Sequence, residues 1–262
     1  GGARVSGKIN QTNIGLLSMF TEDVKDASIE KNNFSVARVN HDFTSSRSSV
    51  GGVFINRAGL GDTTDDYNRV FAVDGKYGLG KKAQITGFAA KSVTPGIEEK
   101  DHAFKLLGTY NWDGWNINAG YTEVGEGFNP EVGFLQRSSF KKPEFLLFRA
   151  MRPKNWGSIL EIRPHISYRG YWNFNDELIT SFLHIDNHWV WASGFEIHTG
   201  VNFTTEGVLE PFTISGVEVP IDAYKHSELQ LIFISNPNRK LSFNTRTVVG
   251  GYFGGDRISN GG

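Results

Sequence analysis

The sequence predicts an all-β protein, an antiparallel up-and-down transmembrane β-barrel of about 14 strands in this chain. Three observations predict it. Helical periodicity is nearly absent, turn clusters separate runs of alternating apolar and polar residues, and tryptophans stand at the ends of those runs. No run reaches the roughly 18 consecutive apolar residues of a spanning helix.

The hairpin at 110–121, YNWDGWNINAGY, shows the pattern at its clearest. Asp113 and Gly114 form a two-residue turn signal, because both central positions of a type I′ turn need positive φ. In that register Trp112 faces Trp115, so one face of the hairpin is apolar and the opposite face is mostly Asn, Thr and Lys.

The same alternation recurs along the chain in runs at 67–79, 159–173, 189–203 and 241–253, and less clearly at 34–43 and 49–57. Turns are predicted between runs at, among others, 10–13, 61–66, 187–188 and 205–207. A soluble sandwich or barrel would place the apolar face inside, whereas a membrane barrel places it toward lipid and lines its lumen with polar groups.

Three features favour the membrane arrangement. The predicted strands are long and rarely contain proline, and the apolar face uses Gly and Ala freely. Aromatic residues also lie at strand ends, where an interfacial girdle belongs; these are Trp112, Trp115, Trp172, Trp189 and Trp191.

Composition narrows the function classes. The net charge of −1 gives no electrostatic basis for binding nucleic acid, and the lack of cysteine excludes disulfides and thiolate chemistry. No cofactor motif is present. No linker divides the chain, so residues 1–262 are predicted to form a single domain.

Residues 125–143 interrupt the strand rhythm, because Pro130 removes a donor and neighbouring glycines permit unusual φ. They are predicted to form a lumen or mouth loop, with Glu131 and Arg137 as its polar contacts. The alternative is an ordinary surface loop that satisfies its own backbone.

A second group of candidates alternates on the polar faces of three predicted strands. They are Glu161, Arg163, His165 and Arg169 on one strand, His184 and Asp186 on another, and Glu196 and His198 on a third. Two interpretations stay open: a salt-bridged network that supports the barrel wall, or a surface that contacts a polar solute such as a sugar. No spacing resembles a known metal motif, so no metal site is predicted.

An enzymatic role rests on His165 and Ser167 alone, which share a face at a spacing of two residues. Outer-membrane phospholipases resemble this in placing a His and a Ser two apart on one strand, although they present the pair toward lipid. Nucleophilic catalysis also needs an orienting group and an oxyanion site. The sequence therefore favours a non-enzymatic role, and no catalytic residue is predicted.

Several stretches together resemble a known family. They are NNFSVARV (32–39), SSVGGVFINR (48–57), NRVFAVDGKYGL (68–79), GFNPEVGF (127–134) with the following Leu-Gln-Arg, and GGYFGGDR (250–257). They are similar to an outer-membrane barrel domain of Gram-negative bacteria that usually follows a family-9-type carbohydrate-binding module. Two departures stand out: no such module precedes this domain here, and the chain stops at a Gly-rich end, whereas family members tend to continue.

The resemblance implies location and fold better than activity, because the activity of the family is not established. It implies the outer membrane of a Gram-negative bacterium, with membrane lipid as partner, carbohydrate as a candidate ligand, and further strands or another chain completing a larger barrel. The function expected is a pore or solute-binding barrel linked to carbohydrate handling. The alternatives are a membrane anchor for a sugar-binding module, a barrel-embedded hydrolase, and a soluble β protein.

Overall fold

The computed structural model describes residues 1–24, 30–61 and 65–262, which form seventeen β-strands and no helix. Within that part of the chain, therefore, no helix has the length and hydropathy needed to cross a bilayer. The strands are β1 (Gly2–Ile9), β2 (Thr12–Phe20), β3 (Asn32–Phe43), β4 (Ser48–Gly59), β5 (Tyr67–Leu79), β6 (Ala83–Val93), β7 (His102–Trp112), β8 (Trp115–Val124), β9 (Phe140–Arg149), β10 (Ile159–Trp172), β11 (Leu178–Trp191), β12 (Glu196–Val208), β13 (Phe212–Ile214), β14 (Val217–Val219), β15 (Asp222–Ile234), β16 (Asn244–Tyr252) and β17 (Gly255–Gly261).

The chain divides into two compact units. The first comprises Gly1–Gly108 and Gly120–Lys141, and the second comprises Thr109–Ala119 and Lys142–Gly262. In each unit the strands pair antiparallel in the order in which they occur along the chain, which is up-and-down topology. The short hairpin β13–β14 stands apart, so that β12 pairs directly with β15.

Several predicted elements differ from those observed. The described residues contain more strands than the 14 predicted, partly because the run at 189–203 is two strands separated by a turn at Gly194, which has φ +82°. The turns predicted at 187–188 and 205–207 are wrong, since these polar residues lie inside β11 and β12. The turn predicted at 61–66 includes residues 62–64, which lie outside the described residues.

The exposure of alternate side chains on β15 shows which face of the sheet is buried in the second unit. His226 and Gln230 are buried on one face, while Leu229 and Leu231 on the opposite face are 62% and 43% exposed. The strand therefore buries its polar side chains and exposes its aliphatic ones, the reverse of a soluble protein. We call these two sides the polar face and the apolar face.

The apolar face is continuous across the second unit. Strand register brings aliphatic side chains side by side along the hydrogen-bonding direction. From β10 to β17 the row is Ile166, Ile185, Val201, Leu229, Val249 and Ile258. The second unit therefore presents a row of aliphatic side chains from β10 to β17 on this face.

The first unit has the same two faces. On β5, Phe71, Val73 and Tyr77 are exposed, whereas Asn68 on the other face is 1% exposed. Asp74, also on the polar face, receives two hydrogen bonds from Arg38 of β3. Both units thus carry charges and amides on one side and exposed apolar groups on the other.

The strands β1 and β17 are edge strands, since each pairs with one neighbour in the part of the chain described. The predicted all-β antiparallel up-and-down architecture is confirmed for the described residues, whereas closure into a barrel is not. Each edge leaves backbone N–H and C=O groups without a strand partner.

The turn predicted at residues 113–114 is confirmed. Asp113 and Gly114 have φ of +49° and +76°, and β7 ends and β8 begins at the tryptophans on either side. The carbonyl of Gly114 accepts a hydrogen bond of 2.7 Å from the amide of Ala150, which ties the turn to the end of β9.

Gly114→Ala should therefore destabilise the protein by about 2 kcal/mol, because it adds left-handed strain and a steric overlap. The new Cβ would overlap the carbonyl oxygen of Ala150. Denaturant unfolding measures the loss. Gly96→Ala is the matched control, because Gly96 has φ +80° but open space around its Cβ position. Equal losses of unfolding free energy in the two variants would contradict the predicted overlap with the Ala150 carbonyl oxygen.

Candidate functional site

Histidines gather on the polar face of β10, β11 and β12 in the second unit. The register places His165 opposite Asp186, and His188 opposite His198. Because alternate residues of a strand share a face, Asp186 lies between His184 and His188 on β11. We call these five residues, His165, His184, Asp186, His188 and His198, the histidine cluster.

Three members of the cluster converge. Each of His165, Asp186 and His188 offers a ligand-type atom, and these atoms lie within 4.8 Å of one another. The rings of His165 and His188 meet edge to face with centroids 5.0 Å apart. The Nδ1 atom of His165 lies 3.1 Å from the carbonyl oxygen of Arg163, which fixes the orientation of the ring.

Asp186 is the most buried member, with 1% of its side chain exposed. Its Oδ2 atom lies 3.4 Å from Nε2 of His184, whose Nδ1 atom is 2.6 Å from Oδ1 of Asn202. Its Oδ1 atom is buried and has no hydrogen-bond partner among the described residues. An unpaired buried carboxylate oxygen is costly, because it has given up its hydrogen bonds to water without replacing them.

Gly200 makes room for that carboxylate. It lies opposite Asp186 in the register, and a Cβ at this position would be 2.9 Å from Oδ2 of Asp186 and 3.2 Å from Cε1 of His184. A larger residue would displace both side chains. The glycine therefore belongs to the site although it carries no functional group.

Charged residues border the cluster on one side. Arg163 lies between two carboxylates, with Nε 2.6 Å from Oε1 of Glu161 and Nη1 3.8 Å from Oε2 of Glu196. Arg152 adds a second cation 3.0 Å from Glu161. His198 stacks on His188 with centroids 3.5 Å apart and lies 3.3 Å from Glu196. These ion pairs form one network on the polar face beside the cluster.

Arg169 lies apart from these residues, near one end of β10. Its guanidinium stands 4.7 Å above the ring of Phe182, with which it is paired in the register. The structure therefore brings His165, His184, Asp186 and His198 together, links Glu161, Arg163 and Glu196 to them, and leaves Arg169 outside.

The loop predicted at 125–143 ends earlier than predicted, because β9 begins at Phe140, and its observed part, 125–139, belongs to the first unit. Glu131 forms a 2.5 Å ion pair with Nε of Arg57 at the end of β4. The amide of Asn129 donates a 2.9 Å hydrogen bond to Ser92. Arg137, the other predicted contact, lies half-buried in the same segment.

Asn68 completes the docking of this segment. Its Nδ2 donates hydrogen bonds of 2.7 Å to the carbonyl of Asn129 and 2.8 Å to Oγ1 of Thr94. Asn68 and Ser92 are each 1% exposed. Because both lie on the polar face, the segment 125–139 covers that face at one end of the first unit.

The predicted aromatic residues lie at or near strand ends. Trp112 and Trp115 are exposed, and the latter lies under the guanidinium of Arg149 at 4.8 Å. Trp189 donates a 3.0 Å hydrogen bond to Thr199, and Trp191 packs on Phe195. Trp172, at the other end of its strand, contacts Tyr168.

Sequence reasoning did not name as candidates His188 in the cluster, Asn202 and Gly200 beside it, or Arg57 and Asn68 under the loop. The turn predicted at 187–188 includes His188, so the sequence did not place it among the candidates. The period-two spacing of His184, Asp186 and His188 was the available signal, and it becomes visible once β11 is continuous through them. Nothing in the sequence marks Asn68 or Gly200.

The geometry does not assemble a catalytic pair from His165 and Ser167. Nδ1 of His165 is engaged by the Arg163 carbonyl, and Ser167 makes no side-chain hydrogen bond among the residues described. In the register Ser167 lies opposite His184, both ring nitrogens of which have other partners.

Comparison with known proteins gives no match: no family model, no curated protein and no solved structure matches the chain. The resemblance to the outer-membrane barrel domain stays an expectation.

Proposed function

We propose that this chain forms the wall of a transmembrane β-barrel in the outer membrane of a Gram-negative bacterium, where it acts as a pore or solute-binding barrel. The apolar face would contact lipid, and the polar face would line the lumen. The edge strands β1 and β17 would then need partners in the bilayer, because hydrocarbon offers none to a free backbone. Those partners would be each other, further strands or another chain.

The observation that supports the proposal best is the inverted burial on β15. A water-soluble sheet has no reason to expose Leu229 while burying His226 and Gln230. Arg246 donates hydrogen bonds of 2.8 and 3.1 Å to Oε1 of Gln230, so the polar face has its own internal hydrogen bonding. Lipid against the apolar face would account for the exposed Leu229. Water and fixed polar groups in the lumen would account for the hydrogen-bonded side chains of the polar face.

The segment 125–139 bears on what passes through such a barrel. Its contacts with Arg57, Asn68 and Ser92 hold it across the polar face at one end of the first unit. The lumen would be narrowed there. This favours a selective or solute-binding barrel over a wide channel, and it also favours the alternative of a closed membrane anchor.

Reconstitution into planar bilayers tests the proposal. The chain, refolded in detergent, should require detergent or lipid to remain monodisperse and should give discrete conductance steps. The Arg57→Gln variant should increase the conductance, because it weakens the ion pair with Glu131. Lys82→Gln, at an exposed turn, removes a cation elsewhere and should leave the conductance unchanged.

Two outcomes would contradict the proposal that the protein is a pore. A monodisperse species in buffer without detergent would support a soluble β protein, and a bilayer-inserted but non-conducting protein would support the anchor. The link to carbohydrate rests on the resemblance alone. Block of the conductance by soluble oligosaccharides would support it, and an unchanged conductance in their presence would remove it.

A further inference from the structure

We propose that His165, Asp186 and His188 bind a divalent first-row transition-metal ion on the polar face of β10 and β11. The three residues come from two neighbouring strands, with Asp186 opposite His165 and His188 two residues further along β11. Adjacent strands in fixed register thus place two imidazoles and one carboxylate around a common point.

The distances suit a single ion after small side-chain rotations. The three ligand-type atoms lie within 4.8 Å of one another. Donors around a tetrahedral zinc ion lie about 3.4 Å apart, given metal–ligand distances of about 2.1 Å. To bind one ion, the three ligand-type atoms would need to move toward a common point by about 1 Å each.

The protonation of His165 suits a metal ligand. A backbone carbonyl only accepts hydrogen bonds, so the Nδ1 atom facing the Arg163 carbonyl at 3.1 Å carries the proton. In neutral imidazole the lone pair then lies on Nε2. Metal-binding histidines commonly make this second hydrogen bond, which fixes the tautomer and the ring orientation.

Asp186 supplies the independent observation that points to a ligand. Its side chain is 1% exposed, and its Oδ1 atom is buried without a hydrogen-bond partner. His184 engages Oδ2 and is itself held by Asn202, so the carboxylate is oriented with one oxygen free. A cation at Oδ1 would satisfy an atom that the described residues leave unpaired.

The donor set selects the class of ion. Imidazole suits zinc, copper, iron and nickel, whereas magnesium and calcium prefer oxygen ligands alone. Two histidines and one carboxylate leave further coordination positions for water or another ligand. The site therefore suits Zn²⁺ or Fe²⁺.

Titration of the untagged, refolded, chelator-stripped chain with Zn²⁺ in detergent tests the proposal. Isothermal calorimetry should show one Zn²⁺ per chain and no comparable binding of Ca²⁺. Asp186→Asn and His188→Ala should each weaken Zn²⁺ binding by at least about tenfold. Co²⁺ should give visible absorption bands that both variants lose, which reports on coordination directly.

Two further variants separate ligand loss from general damage. Gly200→Ala removes no ligand but displaces the Asp186 carboxylate, so it should weaken binding partially. His102→Gln is the matched control, because His102 lies in the first unit, where its Nε2 is 2.9 Å from Glu123, and glutamine can keep that contact. It should bind Zn²⁺ as the unmodified chain does.

Absence of Zn²⁺ binding, or unchanged affinity in Asp186→Asn with its circular dichroism intact, would overturn the site. Asparagine keeps the shape of aspartate, so this variant is the one expected to fold normally. The test is independent of bilayer conductance. A chain that binds Zn²⁺ but does not conduct, or conducts but does not bind Zn²⁺, refutes one proposal and leaves the other.

Discussion

The Leu229→Arg variant is expected to lose about 2–4 kcal/mol of unfolding free energy in lipid vesicles, the cost of an arginine facing the middle of a bilayer. Leu229 is 62% exposed and lies in the middle of the aliphatic row, between Val201 of β12 and Val249 of β16. Denaturant titration in vesicles, followed by tryptophan fluorescence, measures the loss.

Ala223→Arg is the matched control for this variant. It lies on the same strand and the same face as Leu229 but at the end of the strand, where the same change costs about 0–1 kcal/mol in a membrane barrel. In a water-soluble sheet both positions are exposed to solvent and both changes should be nearly neutral. Equal, small effects at the two positions would refute the lipid-facing assignment.

Asn68→Asp should lower the free energy of unfolding by about 3 kcal/mol, because it replaces a buried hydrogen-bond donor with a buried charge. The Nδ2 atom of Asn68 donates to the Asn129 carbonyl, and a carboxylate there would repel that oxygen. The change is nearly isosteric, so the loss would come from hydrogen bonding and charge. Denaturant unfolding measures the cost, and limited proteolysis should show faster cleavage within 125–139.

Asn175→Asp provides the comparison for Asn68→Asp. Asn175 is exposed in the turn between β10 and β11, where its backbone amide donates a hydrogen bond to Oδ1 of Asn173. The same chemical change should alter the free energy of unfolding there by no more than about 0.5 kcal/mol. If Asn68→Asp is equally mild and 125–139 stays resistant to protease, Asn68 does not hold the segment in place.

Much of the fold could be predicted from the sequence, because a strand with two different faces has a period of two residues. The run at 67–79 coincides with β5, the run at 159–173 nearly coincides with β10, and the turn at 113–114 has the predicted backbone. These elements combine strict alternation with an unambiguous turn residue. Where the turn signal was weak, as at Gly194, two strands were read as one.

The site was less predictable, because it depends on register. His165 and Asp186 were both identified as candidates, but their pairing follows from how β10 aligns with β11, which no single strand encodes. His188 lies in the turn predicted at 187–188, because Asn187 is a turn-favouring residue. In the structure it lies within β11, opposite Arg163 of β10 and His198 of β12. Closure of the sheet likewise depends on partners of the edge strands.

The contrast between the two faces also determines how strongly the native register of neighbouring strands is preferred over a shifted one. If β11 shifted by one residue against β10 and β12, Asp186 would move to the apolar face. Ile185 would take its place on the polar face, among the histidines. Every other side chain of the strand would change places in the same way. Misaligned pairings therefore carry a large energetic penalty all along the hairpin. The difference in free energy between the native register and a slipped one favours the native pairing during assembly.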